Sequence, residues 1–550
     1  MEIVVIDTRQ IQSYIFGSNR LRENIGASYL VKMATEDWVK AVLDEQFSPE
    51  AVARPIVDTT CPAKIVFAGG GNAALYFRDD GQGERYIKSY SRAVMACAPH
   101  LQLAAVVHQF EELAELKTAV DDALKKMGEA KQAQTPSTPL MGLGVTVKCR
   151  STGLAAMDMS PIILGADDGD QYPVSAEIMA KLRNTKRANE LLDEFKCDET
   201  RYDFPYDLDN LGRSAGEESY IAVVHIDGNG MGQRIKAYKD GLQGMEAYLA
   251  GSQKMSDALN NAGETALEET VGSLIAAITF EGRQPVIKHT NMAGDEITKI
   301  TLQEAKDATH YLPFRPIVFG GDDITFVCDG RLGISLALTF IKAFEAATED
   351  FIDGKGKITA SAGVAIVKSH YPFARAYGLA EALCQQAKMY RLHLMLDKHV
   401  EDVSCLDWHF ALSGLLGSLS DIRQREYCVP KGHLTLRPVT LAENFTDPLR
   451  TWSVVEKGLV AFQDSDKEQS EPLWSTKRNK VKALRDALRQ GPEAVDHFRA
   501  AYRLEHLPQV ADVGGDVRLT GWSNQDCAYF DALELADWYI PLPLPPGGNA

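Results

Sequence analysis

A short glycine-rich break between two apolar segments constrains the fold of this chain more than any other feature. Residues 317–327 run from apolar β-formers through Gly320, Gly321, Asp322 and Asp323 into apolar β-formers again, with no room for a helix between them. This pattern predicts a β-hairpin whose tip carries two adjacent carboxylates. The glycines allow positive φ angles and leave space beside the backbone for a bulky group such as a triphosphate.

A third acid ends an apolar segment upstream of this hairpin. Residues 220–226 predict a strand that is buried on both faces, and Asp227 follows at a glycine-rich turn opened by Gly228. If this strand neighbours the hairpin, Asp227, Asp322 and Asp323 form an all-oxygen site for Mg²⁺ or Mn²⁺. Two such ions could hold the attacking and leaving oxygens of an in-line displacement at phosphorus. The alternative is two unrelated acidic turns.

Together, these residues resemble the palm domain shared by GGDEF cyclases, class III nucleotide cyclases and nucleic-acid polymerases. A narrower resemblance is to the large Cmr/Csm-type subunit of type III CRISPR effector complexes, whose second palm carries Gly-Gly-Asp-Asp. This likeness extends over most of the chain. Further segments that match this family are Ile11–Phe16, Asn19–Arg22, Ile25–Ser28, Ser361–Val367, Tyr371–Phe373, Ala380–Leu383, Ala387–Lys388, Leu406–Phe410 and Leu434–Pro438.

The resemblance also implies a role for Lys388, which lies late in a predicted helix over residues 373–391. In GGDEF-like palms a lysine at this place contacts the triphosphate. A lysine late in an amphipathic helix is otherwise usually solvated, and both interpretations stay open at this stage.

The order of predicted elements in residues 219–391 repeats an earlier one. Residues 2–7 predict a strand that ends in Asp7, residues 18–47 a helical segment, and residues 63–77 a strand, a glycine-rich turn and a second strand. Helix, strand and helix follow. We interpret the repeat as two ferredoxin-like palm domains in a chain of the α+β class.

The tip of the first predicted hairpin differs from the second one. It reads Gly69-Gly70-Gly71-Asn72, so the two acids are absent there. We therefore predict that the first palm is degenerate and that Asp7 is a structural acid at the end of a strand. A turn of three glycines leaves room for an acceptor nucleotide that faces the second palm.

Sequence pattern divides the chain into four parts. We predict the first palm over residues 1–140, a linker over 141–215, the second palm over 216–400, and a mainly helical domain over 401–550. The helical domain matches the domain with which this family contacts its neighbours. Within the second palm, residues 284–312 are interpreted as a loop near the site.

The linker resembles a remnant of the family's small zinc-binding insert. It contains Cys149 and Cys197, which is short of the four ligands that a structural zinc site needs. The nine cysteines of the whole chain are scattered and form no Cys-x-x-Cys pair. This pattern argues against a disulfide framework, and we expect no zinc.

A formal net charge of −18 argues against broad electrostatic binding of nucleic acid as the main activity. The basic run over residues 477–482 is either a local contact surface or, more commonly, a solvated helix face. No apolar segment approaches the length of a membrane span, and residues 1–10 lack the features of a signal peptide. We expect a cytoplasmic protein that does not associate with membranes.

The resemblance implies a metal-dependent nucleotidyltransferase that converts ATP, or another NTP, into cyclic oligonucleotide messengers for antiviral defence. Its catalytic and metal-binding residues would be Asp227, Asp322 and Asp323, with Mg²⁺ or Mn²⁺ in a two-metal site. The expected nucleotide-binding residues are Gly228, Gly320, Gly321 and Lys388 in the second palm and Gly69, Gly70 and Gly71 in the first.

Two other functions are weaker alternatives. A nucleotide-binding scaffold subunit of an RNA-guided type III complex would have no reason to keep all three acids, and a template-dependent polymerase would need an extended basic groove. The partners that the family implies are other CRISPR effector subunits, guide and target RNA, and a downstream effector that senses cyclic nucleotides; a homo-oligomer is also compatible. The family's nuclease domain needs an adjacent His-Asp pair, and no histidine here is followed by aspartate. We expect a shortened form that lacks this domain.

Overall fold

The computed structural model describes residues 1–133, 142–162, 171–196, 201–212, 219–291, 294–305, 309–411, 417–442, 447–463, 474, 478–510 and 516–543. The first palm contains four strands, β1 (Glu2–Arg9), β2 (Ala63–Gly69), β3 (Asn72–Phe77) and β4 (Gln102–Gln109). They form one antiparallel sheet in the order β2-β3-β1-β4. Its helices are α1 (Ile11–Phe16), α2 (Leu21–Thr35), α3 (Asp37–Gln46), α4 (Pro49–Ala53), α5 (Gln82–Cys97) and α6 (Leu116–Ala133).

The helical segment predicted over residues 18–47 is two helices rather than one. The chain leaves the helical conformation at Glu36, where φ is −122° and ψ is −80°, and α3 starts again at Asp37. This break turns the chain at the end of α2, next to the first hairpin tip. A Cβ placed on Gly69 would lie 3.8 Å from Glu36 Oε1.

The linker packs along the first palm. It contains β5 (Asp158–Met159), β6 (Pro173–Val174), α7 (Ala176–Glu190) and β7 (Tyr202–Asp203). Helix α7 lies so close to α2 that a Cβ on Gly26 would fall 1.9 Å from the Lys181 carbonyl oxygen. Cys149 is buried in the turn that precedes these elements, and hydrogen bonds from Thr152, Ser175 and Ser151 lower the pKa of its thiol against the effect of burial. Cys197 lies outside the described residues.

The second palm repeats the strand and helix order of the first and adds to it. Its elements as far as the hairpin are β8 (Tyr220–Gly228), α8 (Met231–Gly241), α9 (Met245–Ala276), β9 (Ile278–Glu281), β10 (Gln284–Thr290), β11 (Glu296–Thr301), β12 (His310–Tyr311), β13 (Phe314–Gly320) and β14 (Asp323–Asp329). After the hairpin come α10 (Gly333–Ala347), β15 (Ala360–Lys368), α11 (Phe373–Asp397) and β16 (Cys405–Ala411).

Strand β8 lies inside the sheet of the second palm, between β14 and β15. Its apolar run is buried because both faces are covered, as the sequence predicted. Ala222, Val224 and Ile226 face the core shared with α9 and α10, while Ile221 and Val223 face the core shared with α11 and the first palm. Strand β16 pairs in parallel with β15, so this sheet continues past residue 400.

The two palms pack in an approximately two-fold arrangement. Helix α2 of the first palm lies against β13 of the second, and α9 of the second palm lies against β2 of the first. Each palm therefore presents its first long helix to the hairpin of the other. This packing brings both hairpin tips into the same region of the molecule.

The segment over residues 284–312 is not the loop near the site that the sequence suggested. Strands β9, β10 and β11 form a separate three-stranded sheet, and His289 Nε2 lies 3.1 Å from Gln463 Oε1. Asp295 and Glu296 line a cavity with Trp474 of the C-terminal part rather than with the acids of the hairpin. The alternation of apolar and polar residues in these strands was the signal that pointed to a sheet; residues 292 and 293 lie outside the described residues.

The C-terminal part is mainly helical, as predicted. None of the described helices is long and apolar enough to span a membrane. The elements are α12 (Leu419–Tyr427), β17 (Cys428–Val429), β18 (Gly432–His433), β19 (Val439–Thr440), α13 (Trp452–Gln463), α14 (Arg478–Gln490), α15 (Pro492–Tyr502), α16 (Asp516–Thr520), β20 (Trp522–Ser523), β21 (Asp526–Cys527) and α17 (Phe530–Leu535).

Candidate active site

The predicted hairpin is present, and its tip carries the two adjacent acids. Strand β13 ends at Gly320 and β14 begins at Asp323, so Gly321 and Asp322 form the turn. Gly321 has a φ of 62°, a left-handed conformation that glycine adopts without steric cost. Asp323 is paired in register with Asp227 of β8. Directly opposed residues of an antiparallel pair have their Cβ atoms about 5 Å apart on one face of the sheet.

Asp322 reaches the same place from the turn because Gly228 leaves space for it. The Gly228 amide donates a hydrogen bond to the Asp322 carbonyl oxygen at 3.1 Å. A Cβ on Gly228 would lie 2.6 Å from Asp322 Cβ and 2.7 Å from its Oδ2, which is far inside van der Waals contact. Three carboxylates from two distant segments are thereby neighbours at the edge of one sheet.

Replacement of Gly228 by alanine is expected to displace the Asp322 carboxylate and to slow a reaction that these acids catalyse by about a hundredfold, since a misplacement near 1 Å has such an effect on positioned groups. The measurement is the initial rate of product formation in both proteins. Gly232→Ala is the matched control, because a Cβ on Gly232 meets no atom within 4 Å. Equal rates for Gly228→Ala and wild type would contradict the placement of Asp322 in the site.

The charges at this edge oppose one another. Removal from water and the charge of Asp227 raise the pKa of Asp322 to about 7 and the pKa of Asp323 to about 7. Half of the Asp323 side chain is accessible, at 50%, but its Oδ1 is buried and has no hydrogen-bond partner among the described residues. A carboxylate oxygen that is buried without a full hydrogen bond is costly, and a cation bound to the accessible part of the same carboxylate would offset that cost.

The donor set fits a hard divalent cation. In the part of the chain that the structure describes, no three His, Cys, Asp or Glu side chains converge as ligands of one ion, since Asp227 is held instead by Lys388 Nζ. Carboxylate oxygens are nevertheless the ligands that Mg²⁺ and Mn²⁺ prefer. Asp227, Asp322 and Asp323 are the residues that would hold such ions.

Lys388 belongs to this site rather than to a solvated helix face. It pairs with Asp227 and its Nζ lies 3.4 Å from the Gly228 carbonyl oxygen. Helix α11 carries Lys388 to this position because it packs tightly on β15, where a Cβ on Gly363 would fall 2.0 Å from the Ala380 carbonyl oxygen.

The first palm contains a matching lysine that the sequence interpretation missed. Lys131 of α6 forms an ion pair with Asp7, as Lys388 of α11 does with Asp227. Helices α6 and α11 occupy the same place in the repeat, and Asp7 is paired in register with Asn72 as Asp227 is with Asp323. The sequence indicated this ion pair only through a lysine late in the helix that follows β4.

The tip of the first hairpin has no counterpart of Asp322. In the first palm the side chain at this contact comes from the end of β1, and the residue in the turn is a glycine. The Thr8 hydroxyl donates to the Gly71 carbonyl oxygen at 2.7 Å, and a Cβ on Gly71 would lie 3.2 Å from that hydroxyl. In the second palm Gly228 stands where Thr8 does, and Asp322 stands where Gly71 does. In each palm one of the two residues at this contact is thus a glycine. Only in the second palm does the residue in the turn have a side chain, and that side chain is an acid.

We expect Asp227→Asn to reduce activity at least about a hundredfold, because it removes a ligand from a site worth several kcal/mol in the transition state. Asp7→Asn is expected to change the rate less than about threefold, since Asp7 has a lysine partner and no acids beside it. The comparison uses steady-state rates of both variants at saturating Mn²⁺. Equal losses would show that the two palms are not functionally different.

A cavity of ≈ 280 Å³ connects the two palms. Gly70 and Gly71 of the first hairpin open onto it, and so do Gly320, Asp322 and Asp323 of the second. Helix α2 forms one wall, with Lys32 Nζ 5.3 Å from the centre of the Phe319 ring on the opposite wall. The structure therefore places one apolar surface, two glycine turns and the two hairpin acids, Asp322 and Asp323, around a shared space. Its volume lies just below the range typical of ligand pockets.

Arg315 also lines this cavity, and sequence reasoning did not identify it. It is 1% exposed and donates from Nη1 to Asn189 Oδ1, while its Nε has no hydrogen-bond partner among the described residues. Burial lowers its pKa to about 10, which leaves the guanidinium charged at neutral pH. The available signal was a charged residue within an otherwise apolar strand, which is costly without a partner.

Comparisons with known proteins agree with this architecture. Residues 220–392 match the family Cas10/Cmr2, second palm domain. A solved Csm1-Csm4 cassette in complex with cA4 has a TM-score of 0.50 at 14% sequence identity, over 98% of this chain and 70% of that chain. A Csm1-Csm4 cassette in complex with AMPPNP has a TM-score of 0.50 at 13% identity, over 97% of this chain and 69% of that chain.

No curated protein matches the chain. At these identities the likeness to the solved structures shows a shared fold, whereas the family match covers the segment that contains all three acids and Lys388. The resemblance predicted from the sequence is confirmed: residues 220–392 carry the second palm domain of the Cas10/Cmr2 family, within a chain of Csm1-like fold.

Proposed function

We propose that this protein is a nucleotidyltransferase that joins ATP, or another NTP, into cyclic oligonucleotides as part of a type III CRISPR defence system. The observation that carries the proposal is the shared cavity between the palms. Asp322 and Asp323 of the second palm and the glycine turn of the first palm open onto the same space, so a donor held at the acids would face an acceptor at the glycine turn.

In this mechanism the 3′-oxygen of the acceptor nucleotide forms a bond to the α-phosphorus of the donor. The bond from that phosphorus to the bridging oxygen breaks, pyrophosphate leaves, and the hydroxyl proton passes to solvent. Asp227, Asp322 and Asp323 would hold the divalent cations, which would supply charge neutralisation and lower the pKa of the attacking hydroxyl. The protein contributes mainly by positioning the two reactants.

The surrounding residues serve the phosphates and the bases. The backbone at Gly320 and Gly321 lets the donor triphosphate lie close to the hairpin, and a Cβ on Gly320 would meet no atom within 4 Å. Lys388, which pairs with Asp227 here, would face the triphosphate if Asp227 held a cation instead. Phe319 offers an apolar ring to a base, and Arg315 offers an unpaired guanidinium nitrogen to a polar group of the acceptor.

The alternative is a scaffold subunit that binds nucleotide without joining it. Solved Csm1-Csm4 cassettes in complex with cA4 and with AMPPNP share the fold, which supports both nucleotide handling and assembly with a Csm4-like subunit. The argument against a pure scaffold is that Asp227, Asp322 and Asp323 are all retained, since a subunit that only binds nucleotide has no reason to keep all three.

Incubation of the purified protein with each labelled NTP and Mn²⁺ or Mg²⁺ tests the proposal. Chromatography and mass spectrometry of the products identify the base and the ring size. We expect pyrophosphate release together with cyclic or linear oligonucleotides from at least one NTP. Metal-dependent nucleotide binding without any pyrophosphate release would favour the scaffold function.

A further inference from the structure

A buried histidine lies beside the unpaired oxygen of Asp323. His225 is in β8, two residues before Asp227, and only 6% of it is exposed. Its Nδ1 lies 3.0 Å from Thr325 Oγ1 and 3.5 Å from Asp323 Oδ1. The second distance is too long for a full hydrogen bond, yet an N–H at that position still attracts the carboxylate oxygen.

The imidazole ring is fixed from behind by an aromatic side chain of α11, on which a ring of the first palm stacks. It packs edge-on against Tyr377 of α11 with ring centres 5.7 Å apart. Tyr377 in turn stacks on Phe16 of α1, with ring centres 3.9 Å apart and an interplanar angle of 19°. A continuous series of packed rings thus leads from the first palm to the metal-binding edge of the second.

Two hydrogen bonds fix α1 and the turn that follows it relative to α11. Gln12 Nε2 donates to Glu381 Oε1 at 2.8 Å, and the Phe373 amide donates to Asn19 Oδ1 at 2.8 Å. Because these bonds flank the Phe16–Tyr377 stack, α1 cannot shift without moving α11 and the ring of His225.

We infer that His225 is a positioning residue for the Asp323 carboxylate, and that α1 of the first palm sets the position of its imidazole through Tyr377. The inference rests on the proposed function, because it concerns the carboxylate assigned there to the cation. When the N–H of the ring is on Nδ1, His225 attracts Asp323 Oδ1. The accessible part of the carboxylate then remains available for the ion. Outer groups that orient metal ligands typically contribute 10- to 100-fold to metal affinity.

Mn²⁺ binding, measured by electron paramagnetic resonance without nucleotide, tests whether His225 positions the Asp323 carboxylate. His225→Leu is expected to weaken Mn²⁺ binding about 10- to 100-fold. His225→Asn keeps an N–H near the position of Nδ1 and is expected to recover most of the affinity. His409→Leu is the matched control, since His409 is buried in the same sheet on β16, which β15 separates from β8, and both its ring nitrogens lack partners among the described residues; it should leave Mn²⁺ binding unchanged.

Phe16→Ala tests whether α1 of the first palm sets the position of the His225 ring. Loss of the stacked ring is expected to weaken Mn²⁺ binding several-fold, and the effects of Phe16→Ala and His225→Leu should be less than additive, because both act through one contact path. Circular dichroism melts separate this from a loss of fold. Additive effects, or an unchanged affinity in Phe16→Ala, contradict the role of the first palm.

The outcomes distinguish this inference from the proposed function. If His225→Leu binds Mn²⁺ like wild type while Asp322→Ala/Asp323→Ala does not bind it, the positioning role is wrong and the metal site stands. If His225→Asn is as weak as His225→Leu at equal melting temperature, the N–H has no role. If the double aspartate variant also binds Mn²⁺ normally, the proposed metal site itself is wrong.

Discussion

Replacement of Asp322 and Asp323 together by alanine is expected to abolish metal-dependent nucleotide joining while the protein stays folded. Under the proposed function these residues would hold the ions, and the loss of the ions would remove several kcal/mol of transition-state stabilisation, which corresponds to a rate at least about a hundredfold lower. The fold does not depend on these side chains, because burial and mutual repulsion make them unfavourable to ionise without a cation. The measurements are product yield with Mn²⁺ and the melting temperature.

Asp79→Ala/Asp80→Ala is the matched control, since it removes two adjacent exposed acids that follow the hairpin of the first palm. This control should keep the wild-type product yield. If the Asp322→Ala/Asp323→Ala protein also keeps it, the catalytic site lies elsewhere.

The same pair gives the metal-free protein a defined pH dependence. Their pKa values in the folded state, about 7, lie above the usual value for aspartate, so the folded state binds these protons more tightly than the unfolded state does. The stabilisation is complete below the pKa of the unfolded chain and is lost as the pH rises through about 7. In EDTA, the melting temperature difference between wild type and the double variant should therefore favour wild type more at pH 5.5 than at pH 8.

Filling the space at Gly70 is expected to abolish joining while the protein still binds one nucleotide. A Cβ on Gly70 would meet no protein atom within 4 Å, and Gly70 lines the shared cavity, so a side chain there takes the space of the acceptor. Gly70→Val is one such change. Because Gly70 has a φ of 60°, which strains a β-branched residue, Gly70→Asn is the better variant, as asparagine tolerates this conformation.

Calorimetry with a non-hydrolysable ATP analogue and Mn²⁺ measures the outcome as a change from two bound nucleotides to one. Gly282→Asn is the matched control, since Gly282 turns another hairpin with a φ of 66° and equally open surroundings. Two bound nucleotides per chain in a folded Gly70→Asn protein would rule out the acceptor assignment. Unfolding of both asparagine variants would show that these glycines serve only the backbone.

Local patterns in the sequence were sufficient for the elements that carry the acids. The hairpin around Gly320–Asp323 and the strand that ends at Asp227 were predictable because short apolar β-segments and glycine turns are decided by neighbouring residues. The repeat of the palm order also follows from such patterns, and the family resemblance of the second palm was confirmed by an independent match.

The sequence could not show which side chains meet across the palms. The Lys131–Asp7 pair, the buried Arg315 and the path from Phe16 to His225 join residues that lie far apart in the chain. Their contacts depend on the angle and register at which the two palms pack. Neither the angle nor the register can be predicted from the periodicity of a single segment. The three-stranded sheet of β9, β10 and β11 was missed for a related reason, since its short strands are stabilised by one another and by the C-terminal part.

The sequence by itself determined that the tip of the second hairpin carries two acids and the tip of the first carries none, since one reads Gly-Gly-Asp-Asp and the other Gly-Gly-Gly-Asn. Only the tertiary structure decided that the two tips share one cavity and that Asp322 lies against Gly228. The physical reason is that a carboxylate becomes part of a site through the space, charge and burial that other segments give it. Those quantities arise when the chain packs, and they are set by contacts that no single segment contains.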